Sequence, residues 1–143
     1  MATTIQISSE TKELLNTFGT KEDTYEEILS ISNINFQIND FKFFEAIKLT
    51  IEVRKNIYLL FKEAINNSIK HSGCSEISIN SQLRNKVLQV TLYDNGNGFD
   101  INNKSLLGNG LNNMKHRAEM IDGRLRINSS IGSGTVIEFK GKV

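Results

Sequence analysis

TIEVRKNIYLLFKEAINNSIKHSG, residues Thr50 to Gly73, decides how this chain folds. Val53, Ile57, Leu60, Phe61 and Ala64 fall on one side of a 3.6-residue repeat, the pattern of an amphipathic helix with one face in a core. Thr50 is placed to cap its start and Gly73 to stop it. Beside the apolar stripe runs a polar one: Glu63, Asn67 and Lys70, at i, i+4 and i+7. An acid, an amide and a base along one edge, bordering the buried face, can hold a charged ligand at the rim of a core. The same row also suits a solvated helix face with an incidental Glu–Lys series.

Working outward, Asn33 to Ile38 (NINFQI) puts Ile34, Phe36 and Ile38 on one side, which predicts a half-buried strand before the helix. Asp23 followed by Glu26 predicts a short capped helix to about Ile31. Residues 1–22 read as a linker or the remnant of a preceding helical region, and 23–143 as the domain. After the helix, Glu76 to Ser81 and Lys86 to Tyr93 alternate again, with Arg84-Asn85 as the hairpin turn between them. A helix over Leu111 to Ile121 is expected to end at Gly123. A last hairpin would pair Arg124–Asn128 with Thr135–Lys140. These elements predict an α/β (α+β) two-layer sandwich, with helices on one face of a mixed, mostly antiparallel sheet.

Composition narrows the function. A chain of 143 residues with 38% hydrophobic and 23% charged residues and a net charge of +1 has no disordered or nucleic-acid-coating character. Its single cysteine, Cys74, excludes an internal disulfide and fits a reducing cytoplasm. No apolar run approaches the roughly 20 residues of a membrane span, so the domain itself is expected to make no membrane contact, although its parent protein can be membrane-anchored.

Three stretches carry chemistry. Asp94-Asn95-Gly96-Asn97-Gly98 comes directly after a strand. A carboxylate held there can accept a hydrogen bond from the exocyclic amino group of adenine, whereas guanine would set a carbonyl oxygen against it unpaired. Gly96 and Gly98 allow positive φ and close backbone approach; Asn-Gly is equally the commonest hairpin signal. Gly108-Asn109-Gly110 opens a helix, where free backbone N–H groups favour phosphate. Gly132-Ser133-Gly134-Thr135 is a turn whose threonine hydroxyl suits a base contact. Neither GxxxxGK[ST] nor GxGxxG is present. His71, Cys74 and His116 are too few for a structural zinc site. Magnesium, with oxygen ligands and retained waters, fits better, with Asn67 supplying an oxygen and Glu63 orienting a water.

In order and spacing these segments resemble the boxes of the GHKL (Bergerat-fold) ATPases. KEAINNSIKHSG (Lys62 to Gly73) is similar to the N box, and DNGNGF (Asp94 to Phe99) to the first glycine box. GNGLNNMKHRAEMIDGRLRINSSIGSGTVIEF (Gly108 to Phe139) is similar to the second glycine box together with the helix and hairpin C-terminal to it. The NNMKHRAE segment after a short lid particularly resembles bacterial two-component sensor histidine kinases. The resemblance implies that ATP and magnesium are bound. Asn67 would coordinate magnesium and Glu63 would be the polarising acid near the γ-phosphate. Lys70 and His71 would lie by the phosphates. Asp94 would bind adenine, with Gly96 and Gly98 shaping its pocket and Thr135 assisting. Gly108 and Gly110, with Leu111 beside them, would hinge the lid.

Kinases of this family transfer the γ-phosphoryl group to a histidine on a dimerisation domain. Neither His71 nor His116 is placed for that role, so the acceptor is expected outside this chain, with a response regulator downstream and no nucleic-acid partner. Two other readings stay open: an anti-sigma-factor-type serine kinase acting on a separate protein, and an inactive nucleotide-binding interaction module.

Overall fold

The computed structural model describes residues 34–39, 48–103 and 108–143. The helical reading over residues 23–31 and the whole 1–22 linker lie outside the described residues. In chain order the elements are β1 (Asn35–Asn39), α1 (Ile51–His71), β2 (Glu76–Arg84), β3 (Val87–Asp94), α2 (Asn109–Glu119), β4 (Gly123–Ser129) and β5 (Thr135–Lys142). The five strands form one sheet in the order β1-β2-β3-β5-β4. β1 runs parallel to β2 across the α1 crossover, and the other three pairings are antiparallel. The expected mixed, mostly antiparallel sheet with helices is what forms.

Alternation on the strands sets one face against the helices. Ile77 and Ile79 of β2, Leu88, Val90 and Leu92 of β3, Ile127 of β4 and Ile137 and Phe139 of β5 are buried with Ile57, Leu60, Phe61, Ala64 and Ile65 of α1. Met114 and Ala118 bring α2 into the same core. Thr50 caps α1 as expected: its Oγ1 accepts from the Val53 N–H at 3.2 Å. Gly73, at φ +62°, succeeds the last turn in the left-handed region.

Two junctions differ from the sequence reading. The β2–β3 turn is Asn85-Lys86, one residue later than expected, and both residues take positive φ (50° and 62°). That is the mirror-image turn whose twist suits a two-residue hairpin. After α2 the left-handed residue is Asp122 (φ 52°), not Gly123. Gly123 is needed for its size, because a Cβ there would overlap the Phe139 ring.

Candidate functional site

α1 builds one wall of a cavity of about 500 Å³, within the usual range for small-molecule sites. Its 21 residues alternate between duties: Leu60, Phe61, Ala64 and Ile65 enter the core, while Glu63, Ala64, Asn67, Ser68 and His71, with Ser72 at the C-cap, border the cavity. Glu63 and Asn67 are half-buried at one turn's separation. His71 is exposed at the rim. Lys70 is exposed as well but does not line the cavity, since its direction on the helix lies off the wall.

A second, adjoining wall centres on Asp94 at the end of β3. Its side chain is only 2% exposed. Two donors fix the carboxylate: the Gly96 N–H reaches Oδ1 at 3.0 Å and the Ser68 hydroxyl reaches Oδ2 at 2.7 Å. Carboxylates with such donors are oriented as well as solvated by protein. Gly96 does not itself line the cavity and does not take positive φ. It is small because a Cβ would run into Ser72. Gly98 does take positive φ, +64°, and a Cβ there would collide with the Ser130 carbonyl. Gly134 lies against the Asp94 carbonyl in the same way. Thr135, opposite Asp94 in the β3–β5 register, lines the cavity and shares a hydrogen bond with Ser129 at 2.9 Å.

Backbone hydrogen bonds lock this wall to α1. The Asn97 N–H donates to the Ser72 carbonyl at 2.7 Å, and the Gly132 N–H to the Asn97 carbonyl at 2.6 Å. The end of α1, the Asp94–Gly98 turn and the β4–β5 hairpin are therefore tied together through backbone. Cys74 sits behind it, its Sγ 3.6 Å from the Ser68 carbonyl oxygen. Burial pushes its thiol up from the ordinary 9.0, and the Asp94 charge adds to this against a Ser72 hydrogen bond that pulls the other way. It is no ready nucleophile.

The third side is the start of α2. Gly108 occupies its N-cap in extended conformation, with no side-chain cap, and the first turn carries no acidic residue. Uncapped N–H groups at a helix start attract anions. Gly108, Gly110 and Leu111 all line the cavity. A Cβ at Gly110 would overlap the Glu63 Oε1, so glycine lets α2 close down on that carboxylate. Asn56 of α1, which is buried, holds the helix pair together by accepting from Arg117 at 3.4 Å.

Among the described residues no three His, Cys, Asp or Glu side chains gather to hold a metal ion. An oxygen-preferring cation with phosphate and water ligands would suit Asn67 and Glu63 instead. Of the residues singled out in the sequence, the structure brings Glu63, Asn67, His71, Asp94, Gly98, Gly108, Gly110, Leu111 and Thr135 to one cavity, and leaves Lys70 and Gly96 off its lining. Ser68 was missed. Its signal was present: a hydroxyl at i+4 from Ala64, on the apolar stripe, where an unpartnered polar group is costly.

The chain is similar to known proteins in both sequence and fold. The chain is 34% identical over 88 residues to the sensor histidine kinase LiaS and 36% over 90 residues to the signal transduction histidine-protein kinase/phosphatase DegS, both of Bacillus subtilis. It is 32% identical over 96 residues to the sensor protein VraS of Staphylococcus saprophyticus. These matches cover 62%, 59% and 67% of this chain but 24%, 23% and 28% of those proteins, about a quarter of their length. In fold, it superposes on the histidine kinase domain of a blue-light activated histidine kinase from Erythrobacter litoralis with TM-score 0.67 at 16% identity, covering 91% of this chain and 68% of that one. The histidine kinase AdeS of Acinetobacter baumannii gives TM-score 0.63 at 15% identity, covering 92% and 61%. A family model described as "Histidine kinase-, DNA gyrase B-, and HSP90-like ATPase" matches residues 52–142, a span that holds every residue lining the cavity, and the chain belongs to that family.

Proposed function

We propose that this chain is the ATP-binding catalytic domain of a sensor histidine kinase. It holds Mg-ATP while the γ-phosphoryl group passes to an imidazole nitrogen of a histidine on the parent protein's dimerisation domain, leaving ADP. The observation that carries this reading is the polarity of the cavity. A buried acceptor carboxylate, Asp94, stands at one end, and Glu63, Asn67 and the uncapped start of α2 stand at the other.

Adenine's amino group would donate to Asp94, with Thr135 beside it, and the triphosphate would run toward Gly108 and Gly110. Asn67 would give magnesium a side-chain oxygen, and bound magnesium would neutralise phosphate charge. Glu63 would polarise the transferring end. Such transfer needs mostly positioning and charge neutralisation from the protein. No helix among the described residues is long and apolar enough to cross a membrane. The domain would work on the cytoplasmic side of a sensor whose other parts supply the acceptor histidine, and it would act upstream of a response regulator.

Titration with fluorescent ATP and GTP analogues tests this, with magnesium present and after its removal by a chelator. The expected result is tighter binding of the adenine analogue, weakened by chelation. Equal affinity for both bases removes the Asp94 assignment, and indifference to the chelator removes magnesium from the site.

A further inference from the structure

We infer that Ser68 is the positioning residue that makes the base-binding end of the cavity accept amino groups and refuse carbonyls. The inference rests on the nucleotide reading above and adds to it the residue that sets base selection. Ser68 is 3% exposed, lines the cavity, and donates its only hydroxyl proton to Asp94 Oδ2 at 2.7 Å. A hydroxyl whose proton is committed shows a ligand only its lone pairs. The Gly96 N–H is likewise spent on Oδ1.

Every polar atom of this cluster that can face the cavity is thus an acceptor. A 6-amino purine offers two N–H donors to that set. A 6-oxo purine brings a lone pair against lone pairs; the nearby Thr135 hydroxyl donates to Ser129, whose own proton goes to the Gly134 carbonyl, so Thr135 offers no donor either. Asp94 alone does not give this result. Without the Ser68 hydroxyl, Oδ2 has a vacant acceptor position that water can fill, and water can turn a second proton toward a carbonyl. Ser68 acts through Asp94, from a helix position directly after Asn67.

The test uses the full chain and compares affinities for ATP, inosine triphosphate and purine riboside triphosphate, the last lacking any 6-substituent. Calorimetry is run on the unaltered chain, Ser68→Ala, Ser68→Cys and Ser68→Thr, each checked for folding by circular dichroism. Cysteine fills the serine's volume but is a weak donor, and threonine keeps the hydroxyl. The ATP-over-inosine preference is expected to fall about tenfold in the Ala and Cys variants, the worth of roughly one charge-assisted hydrogen bond. It should survive in Ser68→Thr, and purine riboside triphosphate should bind all four proteins alike.

Parallel weakening of all three nucleotides in the Ala and Cys variants would reduce Ser68 to a packing residue and overturn the proposal. So would an undiminished preference in those two variants. If Ser68→Ala does not fold, the Cys and Thr pair decides by the same criterion. An unaltered chain that binds ATP and inosine triphosphate equally overturns the adenine reading itself, and this outcome is distinct from a preference that is present but insensitive to residue 68.

Discussion

Replacing Asp94 by asparagine separates the chemistry of the site from its packing. The two side chains have nearly the same shape, and the position is 2% exposed, so no cavity opens. The surrounding donors settle the amide's orientation. The Gly96 N–H is fixed backbone and requires an oxygen at its end, whereas the Ser68 hydroxyl can rotate and accept. The amide oxygen therefore takes Gly96, and the NH2 takes Ser68 and the cavity side. The fold keeps both hydrogen bonds in neutral form and loses about 1 kcal/mol. The ligand fares worse. It loses a charge-assisted acceptor, worth about 1.5–3 kcal/mol, and its amino group now meets a donor. A combined loss of about 2–4 kcal/mol weakens ATP binding about 30-fold to 1,000-fold. Calorimetry with Mg-ATP reads the affinity, and a thermal melt tracked by circular dichroism reads the fold. A folded Asp94→Asn protein that binds ATP within about threefold of the unaltered chain would refute the placement of the base at Asp94.

Gly110→Ala puts a methyl group where the Glu63 Oε1 lies, and the flexible carboxylate must swing away. Phosphoryl transfer to an added acceptor domain should drop by at least about tenfold while the melting temperature barely moves, since only a side-chain end is displaced. Gly98→Ala meets backbone instead, the Ser130 carbonyl, at φ +64°, so it should destabilise the fold by about 2 kcal/mol or more in a urea titration. Leu60→Ala, at a fully buried position on the cavity-bearing helix, should cost about 2–5 kcal/mol by the same titration.

Periodicity made the architecture legible. α1, the alternation of β2, β3 and β5, and the mixed sheet all arise from where Ile, Leu and Val recur, because burying one face of each element leaves few arrangements. The misplaced junctions share a cause. A hairpin turn is set by which two residues take positive φ, and Asn85-Lys86 does so although lysine carries no sequence signal for it. Gly123 and Gly96 looked like conformational glycines but are steric ones, kept small by Phe139 and Ser72, which are distant in sequence. The cavity lining was legible where a side chain must be polar beside a core, at Glu63, Asn67 and Asp94. Lys70 shares the helix edge with Glu63 and Asn67 but stands outside the lining, because three residues on one edge can still diverge by the width of a wall. Ser68 stood out on the apolar stripe, but its partner, 26 residues away, could not be read from the sequence.

The sharing of α1 between core and site has a further consequence. Ser68 donates to the Asp94 carboxylate of the proposed base-binding end, while Asn67 and Glu63, one and five residues earlier, face the proposed metal and phosphate end. At about 1.5 Å of rise per residue these groups sit within about 8 Å along a helix that seven buried residues hold in place. The spacing between the proposed base and phosphate subsites would thus be set by helix geometry. The Asp94–Gly98 wall is equally fixed, tied by backbone to Ser72 and Gly132. What is left to adjust is the start of α2, which has no side-chain cap and meets Glu63 only through a glycine. In the proposed reading, closure on a bound triphosphate would come from that side, with Gly108 and Gly110 moving against α1.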